Sequence, residues 1–425
     1  KAKVVLIEKE KMGGDCLNTG CVPSKALIKS AKVAHTINKA SEFGINANVE
    51  SIDFQKAMNR VHEVISKIEP HDSIERYTEL GVECITGSAK IISPWQVEVN
   101  GKVLTTKNIT IATGASPFVP PIKGLKDIKY LTSNNLWQLT ERPEKFVVLG
   151  GGPIGLEMAQ SFNRLGSSVT VIEMGPRIMP REDEDVSIEV TNRLESEGVN
   201  ILTGHQAEEF KENLLICKTD GGDVEVPFDQ VLIAVGRKAN LDGFGLEDLD
   251  ITIRNNNTIA ANEFLQTDYP NIYVCGDVTG PYQLTHTAAH QAWYCAVNAL
   301  FSPFKKFKVD YSVIPWCTYT DPEVATVGLT ELTATEQGIE YDITKYGIDD
   351  LDRAIADSND YGFVKVLTKK GSDKILGATI VGASAGELLT EFVTAMKFKK
   401  GLNSILGTIH SYPTMSEANK FAAGI

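Results

Sequence analysis

A chain of 425 residues is long enough for two to four domains, each with a core of its own. With 42% hydrophobic and 23% charged residues it has the composition of an ordinary globular protein, and its formal net charge of -13 argues against nucleic acid or an anionic membrane surface as a partner. Seven cysteines are too few for a disulfide-stapled secreted scaffold. We therefore expect a cytoplasmic protein, with no membrane segment in this chain.

The first eight residues predict a buried parallel strand that ends in an acid, Glu8. In a dinucleotide-binding βαβ unit such an acid binds the ribose hydroxyls and lies about twenty residues after a glycine-rich turn. That turn would lie before Lys1, so we expect a missing N-terminal segment of about 25–35 residues, the length of a βα unit. The alternative is a true fragment that cannot hold a cofactor.

Residues 13–25, GGDCLNTGCVPSK, contain two cysteines five positions apart. On a regular helix, Cys16 and Cys21 would be separated by a rise of about 7.5 Å, whereas a disulfide needs Cα atoms within about 4.4–6.8 Å. The intervening Asn18-Thr19-Gly20 weakens a helix at this point, which would allow the two sulfurs to meet. Taken alone, this spacing more often marks two unrelated buried thiols than a redox pair.

Helical periodicity follows at residues 24–45 and 54–80, and alternating stretches at 82–92 and 96–103 predict antiparallel strands. Residues 108–115 predict a buried strand that leads into a Thr-Gly turn at Thr113 and Gly114.

A nucleotide-binding unit begins with the strand at residues 146–149. The glycines of its G-x-G-x-x-G motif, Gly150, Gly152 and Gly155, precede a helix and a second strand that ends in Glu173, as the motif requires. A carboxylate at Glu173 would accept a hydrogen bond from a ribose 2′-OH and repel a 2′-phosphate, which favours NAD(H). Arg177 lies nearby, so NADP(H) is the less favoured alternative. Residues 201–215 and 224–235 predict short strands that return to this sheet.

The GGDCLNTGCVPSK segment resembles the active-site segment of the class I pyridine nucleotide–disulfide oxidoreductases, which include dihydrolipoamide dehydrogenase, glutathione reductase and mercuric reductase. Residues 108–115, 231–240 and 267–277 resemble further signatures of the family. The resemblance implies an α/β fold with two Rossmann-like nucleotide-binding domains, for FAD and NAD, and an α+β C-terminal dimerisation domain. The implied boundaries are 1–116 and 244–305 for the two segments of the FAD domain, 117–243 for the NAD(P) domain and 306–425 for the interface domain.

The resemblance also implies the site residues. It implies that electrons pass from NAD(P)H through FAD to a Cys16–Cys21 disulfide, with Cys21 as the charge-transfer thiolate and Cys16 as the interchange thiol. Lys25, paired with Glu157, would lie near the flavin; a solvated helix charge is the alternative interpretation of Glu157. The implied FAD contacts are Glu8, Gly14, Lys25, Ala89, Thr113, Gly114, Gly276, Asp277, Thr285 and Ala288. The implied NAD(H) contacts are Gly150, Gly152, Gly155, Glu173 and Gly236.

The acid/base position departs from the pattern of the disulfide reductases. These enzymes end in H-x-H-P-T-x-x-E, whose second histidine is the base, whereas this chain has Tyr412 at that position and Glu417 at the last. A phenol with a pKa near 10 is a poor base at neutral pH, and His410 is the alternative. Tyrosine here resembles mercuric reductases. Their C-terminal cysteine pair is not in this sequence, so either a tail is missing or the protein only resembles them.

We therefore predict an FAD-dependent NAD(P)H:disulfide oxidoreductase that resembles mercuric reductase. Its acceptor would be a small-molecule or protein disulfide or a thiol-bound metal, with no resident metal site. The resemblance implies a homodimer whose active site is completed across the interface. Dihydrolipoamide dehydrogenase is the first alternative, favoured by Glu173 and weakened by Tyr412. A non-catalytic dimeric binding module is the second.

Overall fold

The computed structural model describes residues 2–425. The helices, numbered in chain order, are α1 Gly14–Asn18, α2 Cys21–Asn38, α3 Phe54–Ile68, α4 Ile74–Glu79, α5 Pro153–Arg164, α6 Glu184–Ser196, α7 Thr285–Phe301, α8 Glu331–Glu336, α9 Asp352–Ala356, α10 Ala385–Leu388, α11 Thr390–Lys397, α12 Leu402–Leu406 and α13 Glu417–Gly424. The strands are β1 Val4–Glu8, β2 Val82–Thr86, β3 Ala89–Ser93, β4 Gln96–Val99, β5 Lys102–Thr105, β6 Ile109–Ile111, β7 Ala115–Pro117, β8 Tyr130–Leu131, β9 Lys145–Leu149, β10 Ser168–Glu173, β11 Asn200–Thr203, β12 Gln206–Lys211, β13 Leu214–Thr219, β14 Gly222–Pro227, β15 Gln230–Ile233, β16 Arg237–Ala239, β17 Ile272–Val274, β18 Pro315–Thr318, β19 Glu323–Gly328, β20 Tyr341–Gly347, β21 Phe363–Lys369 and β22 Ile375–Gly382.

The first two predicted helices differ from the structure in their limits. The segment 54–80 forms two helices, α3 and α4, because Pro70 has no N–H to donate and lies in a 3-10 turn between them. Ser73 then caps α4 by accepting a hydrogen bond from Arg76 N. The segment 24–45 forms α2, which begins at Cys21 and ends at Asn38.

The strands of the first part of the chain pair differently from the prediction. β2 is a parallel neighbour of β1 rather than an antiparallel partner of the next strand, while β3, β4 and β5 form an antiparallel meander. The predicted burial of β1 is wrong, because Val4 and Leu6 stay on the surface. One hydrophobic core nevertheless joins Ile7 of β1 to Ala89 of β3 and to the parallel pair β6 and β17.

The predicted nucleotide-binding unit is a five-stranded parallel sheet in the order β11-β10-β9-β15-β8. After their first residues, Lys145 and Gln230, the strands β9 and β15 are buried and apolar, as is typical of parallel sheets with both faces covered. Between β11 and β15 the chain forms a separate antiparallel meander, β12 to β14, so only the ends of the predicted returning segments join the main sheet.

Helix α2 packs against α5 of this sheet, and this packing sets the position of the redox motif. Leu27 of α2 and Phe162 of α5 are fully buried in one core. Phe162 also stacks on Phe146 of β9, with ring centroids 4.4 Å apart. The helix that begins with Cys21 is thereby fixed to the sheet that carries the glycine-rich motif.

The C-terminal unit is an antiparallel sheet in the order β18-β19-β22-β21-β20, with α10 to α13 packed against it in a core of its own. Within residues 2–425, none of the helices combines the length and the apolarity needed to cross a bilayer.

A buried lysine joins the C-terminal sheet to the parallel sheet. The side chain of Lys365, in β21, is 1% exposed and its Nζ lies 2.8 Å from Asp183, 2.7 Å from Asp185 and 2.8 Å from Glu331. Three carboxylates this close together repel one another unless a cation lies between them, and the ammonium group supplies it.

We expect Lys365→Met to lower the free energy of unfolding by about 3 kcal/mol, because it leaves the buried carboxylate of Asp183 and the half-buried carboxylates of Asp185 and Glu331 without their counter-charge. Lys345→Met is the matched control. Lys345 also pairs with Asp185 at 2.7 Å, but its side chain is 43% exposed, so its loss should cost less than about 1 kcal/mol. Urea unfolding of the two variants measures the difference, and equal small losses would contradict the prediction.

Candidate active site

The two cysteines of the redox motif lie on either side of a break between two helices. Cys16 is in α1, and Cys21 begins α2. At the break, the N–H groups of Thr19 and Gly20 both donate to the carbonyl oxygen of Asp15, at 2.9 and 2.7 Å. The chain leaves helical geometry between the cysteines, and their thiols come close enough to shift each other's pKa.

This contact separates the pKa values of the two thiols. The hydrogen bond from Cys16 is the main cause that lowers the pKa of Cys21 to about 6, and Thr285 and Lys25 lower it further. The same hydrogen bond, followed by burial, raises the pKa of Cys16. Cys21 Sγ lies 3.4 Å from the hydroxyl of Thr285, the first residue of α7, so the positive end of that helix supports the thiolate. At neutral pH the reduced pair therefore holds a Cys21 thiolate and a protonated Cys16.

We expect the thiolate of Cys21 in the reduced protein to titrate near pH 6. Because its pKa is lowered, the thiolate is present above that pH and is lost as the pH falls through it. In a Cys16→Ala variant the main lowering interaction is gone, so the midpoint should move up toward the ordinary range of a thiol. Ultraviolet thiolate absorbance measured against pH in both proteins gives the shift, and identical midpoints would contradict this pairing.

Lys25 and Glu157 form the predicted pair. Lys25 Nζ lies 2.8 Å from one carboxylate oxygen of Glu157, whose side chain is 7% exposed, so the alternative of a solvated helix charge is wrong. The other oxygen accepts a hydrogen bond from Tyr319 N at 2.9 Å, and Lys25 lies 4.3 Å from the centre of the Tyr319 ring. This tyrosine was missed in the sequence, because no local motif links it to residues more than 150 positions away.

The carboxyl ends of β6 and β17 present polar groups that fit the predicted flavin cofactor. The two strands are parallel neighbours, so Gly114 and Asp277 lie at the same edge. Burial raises the pKa of Asp277, and Arg237 Nε lies 3.6 Å from its carboxylate. Among the described residues, the buried hydroxyl of Thr287 in α7 has no hydrogen-bond partner. A buried hydroxyl of this kind requires a partner from a ligand or water, so these residues fit FAD.

Two further contacts connect the redox helix to this edge. Arg237 donates to the Asp15 carboxylate at 2.6 Å, next to Gly14, and so joins α1 to the strand that follows the nucleotide-binding sheet. Gly276 lies against α7, since a Cβ added to it would be 3.5 Å from the Ala288 side chain. Arg237 and Thr287 were not predicted as site residues, because neither carries a signal by itself.

The remaining residues predicted to contact FAD lie around the same core. Thr113 donates from its hydroxyl to the Asn240 carbonyl at 2.9 Å. The carboxylate of Glu8, at the end of β1, accepts from Glu10 N at 2.8 Å. Ala89 packs against the core that β6 and β17 share. Their contact with a cofactor stays a prediction.

The glycine-rich turn before α5 has the form that a dinucleotide pyrophosphate needs. Gly150 has φ +112°, and a Cβ on it would lie 2.5 Å from the Ala234 carbonyl oxygen. A Cβ on Gly155 would collide with the carbonyl oxygen of Gly150, whereas one on Gly152 would meet nothing within 4 Å. The outer glycines therefore allow the tight turn, and the space at Gly152 is open at the N-terminus of the helix. Gly236 follows β15, the strand that ends beside this turn.

Glu173 and Arg177 differ in what they offer to a ribose. The Glu173 carboxylate lies at the turn, where it accepts from Gly151 N at 2.8 Å and from Gly175 N at 2.7 Å. The guanidinium of Arg177 donates to backbone carbonyls of its own loop, at Met179 and Pro180. A carboxylate at the turn, with the guanidinium engaged elsewhere, suits a free 2′-hydroxyl better than a 2′-phosphate.

Near the C-terminus, Tyr412 pairs with Asp352 and not with Glu417, the glutamate of the expected pair. The hydroxyl of Tyr412 donates to the Asp352 carboxylate at 2.8 Å, and this hydrogen bond is the main cause that raises the pKa of Tyr412. Glu417 instead accepts from Thr414 N at 3.3 Å. Asp352 was missed in the sequence, because it lies 60 residues before Tyr412.

His410 is engaged on both sides of its ring. Its Nδ1 lies 3.1 Å from the Thr408 carbonyl oxygen and its Nε2 lies 2.9 Å from the Glu391 carboxylate. The side chain is buried, at 6% exposure. Both ring nitrogens are in hydrogen-bonding contacts, so His410 is a poor candidate for the base.

Comparison with known proteins agrees with this geometry. Residues 1–292 match the family model described as pyridine nucleotide-disulphide oxidoreductase, and residues 314–423 match the dimerisation domain of the same family. The mercuric reductase of Lysinibacillus sphaericus is 35% identical over 99% of this chain and 78% of its own length. The dihydrolipoyl dehydrogenase of Bacillus subtilis (strain 168) is 33% identical over 98% of this chain and 91% of its own.

Among solved structures, that of the HOCl-induced flavoprotein disulfide reductase RclA from Escherichia coli has a TM-score of 0.88 and 26% identity. The structural match covers 100% of this chain and 94% of the RclA chain. These matches confirm the predicted fold class, and they confirm FAD and NAD(P)H as the cofactors. The chain belongs to the pyridine nucleotide–disulfide oxidoreductase family and is a flavoprotein enzyme.

Proposed function

We propose that this protein uses NADH to reduce its Cys16–Cys21 pair, and that the pair reduces a thiol-bound soft metal ion or a disulfide in the cytoplasm. Residues 1–116 and 244–305 would hold FAD, residues 117–243 would hold NAD(H), and residues 306–425 would form the interface. When bound, FAD supplies the two-electron carrier between the nicotinamide and the cysteines.

The asymmetry of the two thiols assigns their roles toward a disulfide acceptor. Cys16 attacks one acceptor sulfur, and its proton goes to the acceptor sulfur that leaves as a thiol. The Cys21 thiolate then attacks Cys16 Sγ, which closes the Cys16–Cys21 disulfide, and the second acceptor sulfur leaves and takes a proton from solvent. Two thiols are formed for the two electrons that the pair gives up.

The proposed choice of acceptor rests on the environment of Tyr412. Its raised pKa and its hydrogen bond to Asp352 keep the phenol protonated, so it can donate a hydrogen bond but does not accept the proton of Cys16 at neutral pH. A soft metal ion that exchanges between thiolate ligands does not depend on an imidazole base in the same way. Hg(II), the ion for which the bacterial relatives are named, is therefore the favoured class of acceptor.

The position of Tyr412 supports a site shared between two subunits. The match to a dimerisation domain supports a homodimer. On the C-terminal unit, Tyr412 is 70% exposed, and Ile409, 93% exposed, and Phe398, 70% exposed, lie on the same unit. In our proposal these apolar side chains are covered in the dimer, and Tyr412 reaches Cys16 of the other subunit.

We expect NADH to be the preferred coenzyme and Glu173→Gln to weaken that preference. An amide has one oxygen and cannot accept both hydrogen bonds that the Glu173 carboxylate accepts. It is also neutral, so it no longer repels a 2′-phosphate. Loss of one charge-assisted hydrogen bond, about 1.5–3 kcal/mol, should lower kcat/KM for NADH by roughly 10- to 100-fold. The ratio of kcat/KM for NADH to that for NADPH should fall as well. An unchanged ratio would contradict the role of Glu173.

A panel of acceptors tests the proposed function. NADH oxidation by the holoenzyme is measured with Hg(II) in excess thiol, with lipoamide and with glutathione disulfide at equal concentrations. We expect the metal–thiolate complex to be reduced fastest. Dihydrolipoamide dehydrogenase remains the second candidate, favoured by the NAD(H)-type turn and by 33% identity to such an enzyme. Faster turnover with lipoamide in the native protein would replace the first candidate with the second.

A further inference from the structure

A second pair of cysteines meets beneath helix α7. Cys275 directly follows β17 and precedes the Gly276-Asp277 turn, while Cys295 lies in the middle of α7. The two residues are 6% and 1% exposed and belong to one buried cluster. No local motif connects them, because they come from a strand and a helix that only the fold brings together.

The geometry puts the two sulfurs within reach of each other. Cys295 Sγ donates to the Val274 carbonyl oxygen at 3.6 Å. This carbonyl is part of the peptide bond that joins Val274 to Cys275. The neighbouring Cys295 thiol lowers the pKa of Cys275, and Cys275 in turn raises the pKa of Cys295. The same division of pKa values marks the redox pair Cys16 and Cys21.

We propose that Cys275 and Cys295 are a second redox-active dithiol, which closes to a disulfide between β17 and α7 when the protein meets hydrogen peroxide. Cys275 Sγ attacks one peroxide oxygen, the O–O bond breaks, and one water leaves as the sulfur becomes a sulfenic acid. Cys295 Sγ then displaces the second water and forms the S–S bond. Two thiols lose two electrons and two protons, and one peroxide becomes two waters.

This disulfide would connect two elements of the flavin edge. Helix α7 carries Thr285 beside Cys21 and Gln291, whose side chain accepts from Gly276 N at 2.6 Å. A covalent link between β17 and α7 would fix the Gly276-Asp277 turn to the helix that supports the Cys21 thiolate. The proposal does not depend on the identity of the electron acceptor.

Burial sets the chemical class of the oxidant. With 1% and 6% exposure, the two thiols are closed to bulky reagents, whereas a small neutral peroxide can reach them through local opening. In the folded protein we therefore expect N-ethylmaleimide to leave Cys275 and Cys295 unlabelled, and hydrogen peroxide to oxidise them.

Peptide mapping of the peroxide-treated holoenzyme tests the proposal. Both cysteines lie in the tryptic peptide 255–305, which contains no other cysteine. After a stepwise peroxide dose and removal of the excess, the protein is denatured in N-ethylmaleimide and digested without reductant. Untreated protein should show two maleimide adducts on this peptide. Treated protein should show none, and its peptide should be lighter by two hydrogens than the unlabelled dithiol form.

Two controls separate a paired thiol from a merely buried one. Cys217 is fully buried, and burial alone raises its pKa to about 11. Its peptide should keep its adduct at a dose that closes the pair. In a Cys275→Ala variant the remaining Cys295 should also keep its adduct, whereas in Cys295→Ala the remaining Cys275 should lose its adduct and gain one oxygen as a sulfenic acid, with no disulfide formed. Retention of both adducts in the native protein, or loss of both only after unfolding in urea, would overturn the proposal.

Discussion

Replacing Cys16 with serine should lower the NADH-dependent reduction of a disulfide acceptor by about 10³-fold or more, the scale seen when a nucleophile is removed. A serine hydroxyl has no accessible anion at neutral pH, whereas the thiol of Cys16 loses its proton as it attacks. Steady-state NADH oxidation with a disulfide acceptor measures the loss. The variant should still bind FAD, because serine differs from cysteine only by an oxygen in place of the sulfur.

Cys217→Ala is the matched control for this experiment. Cys217 lies on β13 in the core of the meander, fully buried, and the change removes a thiol of the same chain. Its activity should stay close to that of the native protein. If Cys16→Ser keeps more than about a tenth of the native rate, Cys16 is not the interchange thiol.

Replacing Tyr412 with histidine should raise lipoamide turnover by roughly 10²-fold, the lower range for a positioned general acid/base. The imidazole pKa lies near neutrality, whereas the phenol is held protonated by Asp352. The side chain at 412 is exposed on the C-terminal unit, so the substitution should leave the fold intact. The increase should be in kcat, and it should follow pH with a midpoint in the histidine range.

Tyr412→Phe separates a missing base from a hydroxyl that assists the metal. Phenylalanine fills the same space and, like tyrosine, supplies no base, so lipoamide turnover should stay low. It also lacks the hydroxyl that can donate a hydrogen bond, so reduction of the metal–thiolate complex should fall. Native lipoamide turnover as fast as that of Tyr412→His would show that another group supplies the base, and would favour the dihydrolipoamide dehydrogenase alternative.

Contiguous motifs made most of the fold predictable. The turn at Gly150 to Gly155, the strand that ends in Glu173 and the break between Cys16 and Cys21 all follow from local backbone chemistry, and the structure has each of them. The Lys25–Glu157 pair was reached only through the family resemblance, since 132 residues separate the two side chains.

The parts that escaped prediction depend on contacts between distant segments. Tyr319, which directly follows β18, donates its N–H to the Glu157 carboxylate. Arg237 connects Asp15 of α1 to Asp277. The Asp352 carboxylate accepts a hydrogen bond from the hydroxyl of Tyr412. Each of these residues is unremarkable in its local sequence. Pairing of strands was uncertain for the same reason, and β2 joined β1 because tertiary contacts rather than alternation decided its partner.

Anaerobic titration of the purified holoenzyme with NADH, followed across the visible spectrum, tests the central claim most directly. If Cys16 and Cys21 are coupled to the flavin, the first two electrons reduce the disulfide. A long-wavelength absorbance band that depends on the Cys21 thiolate then grows, and this band is missing in Cys21→Ser. Direct bleaching of the flavin in the native protein, with no such band, would contradict the account and point to an NADH oxidase or diaphorase.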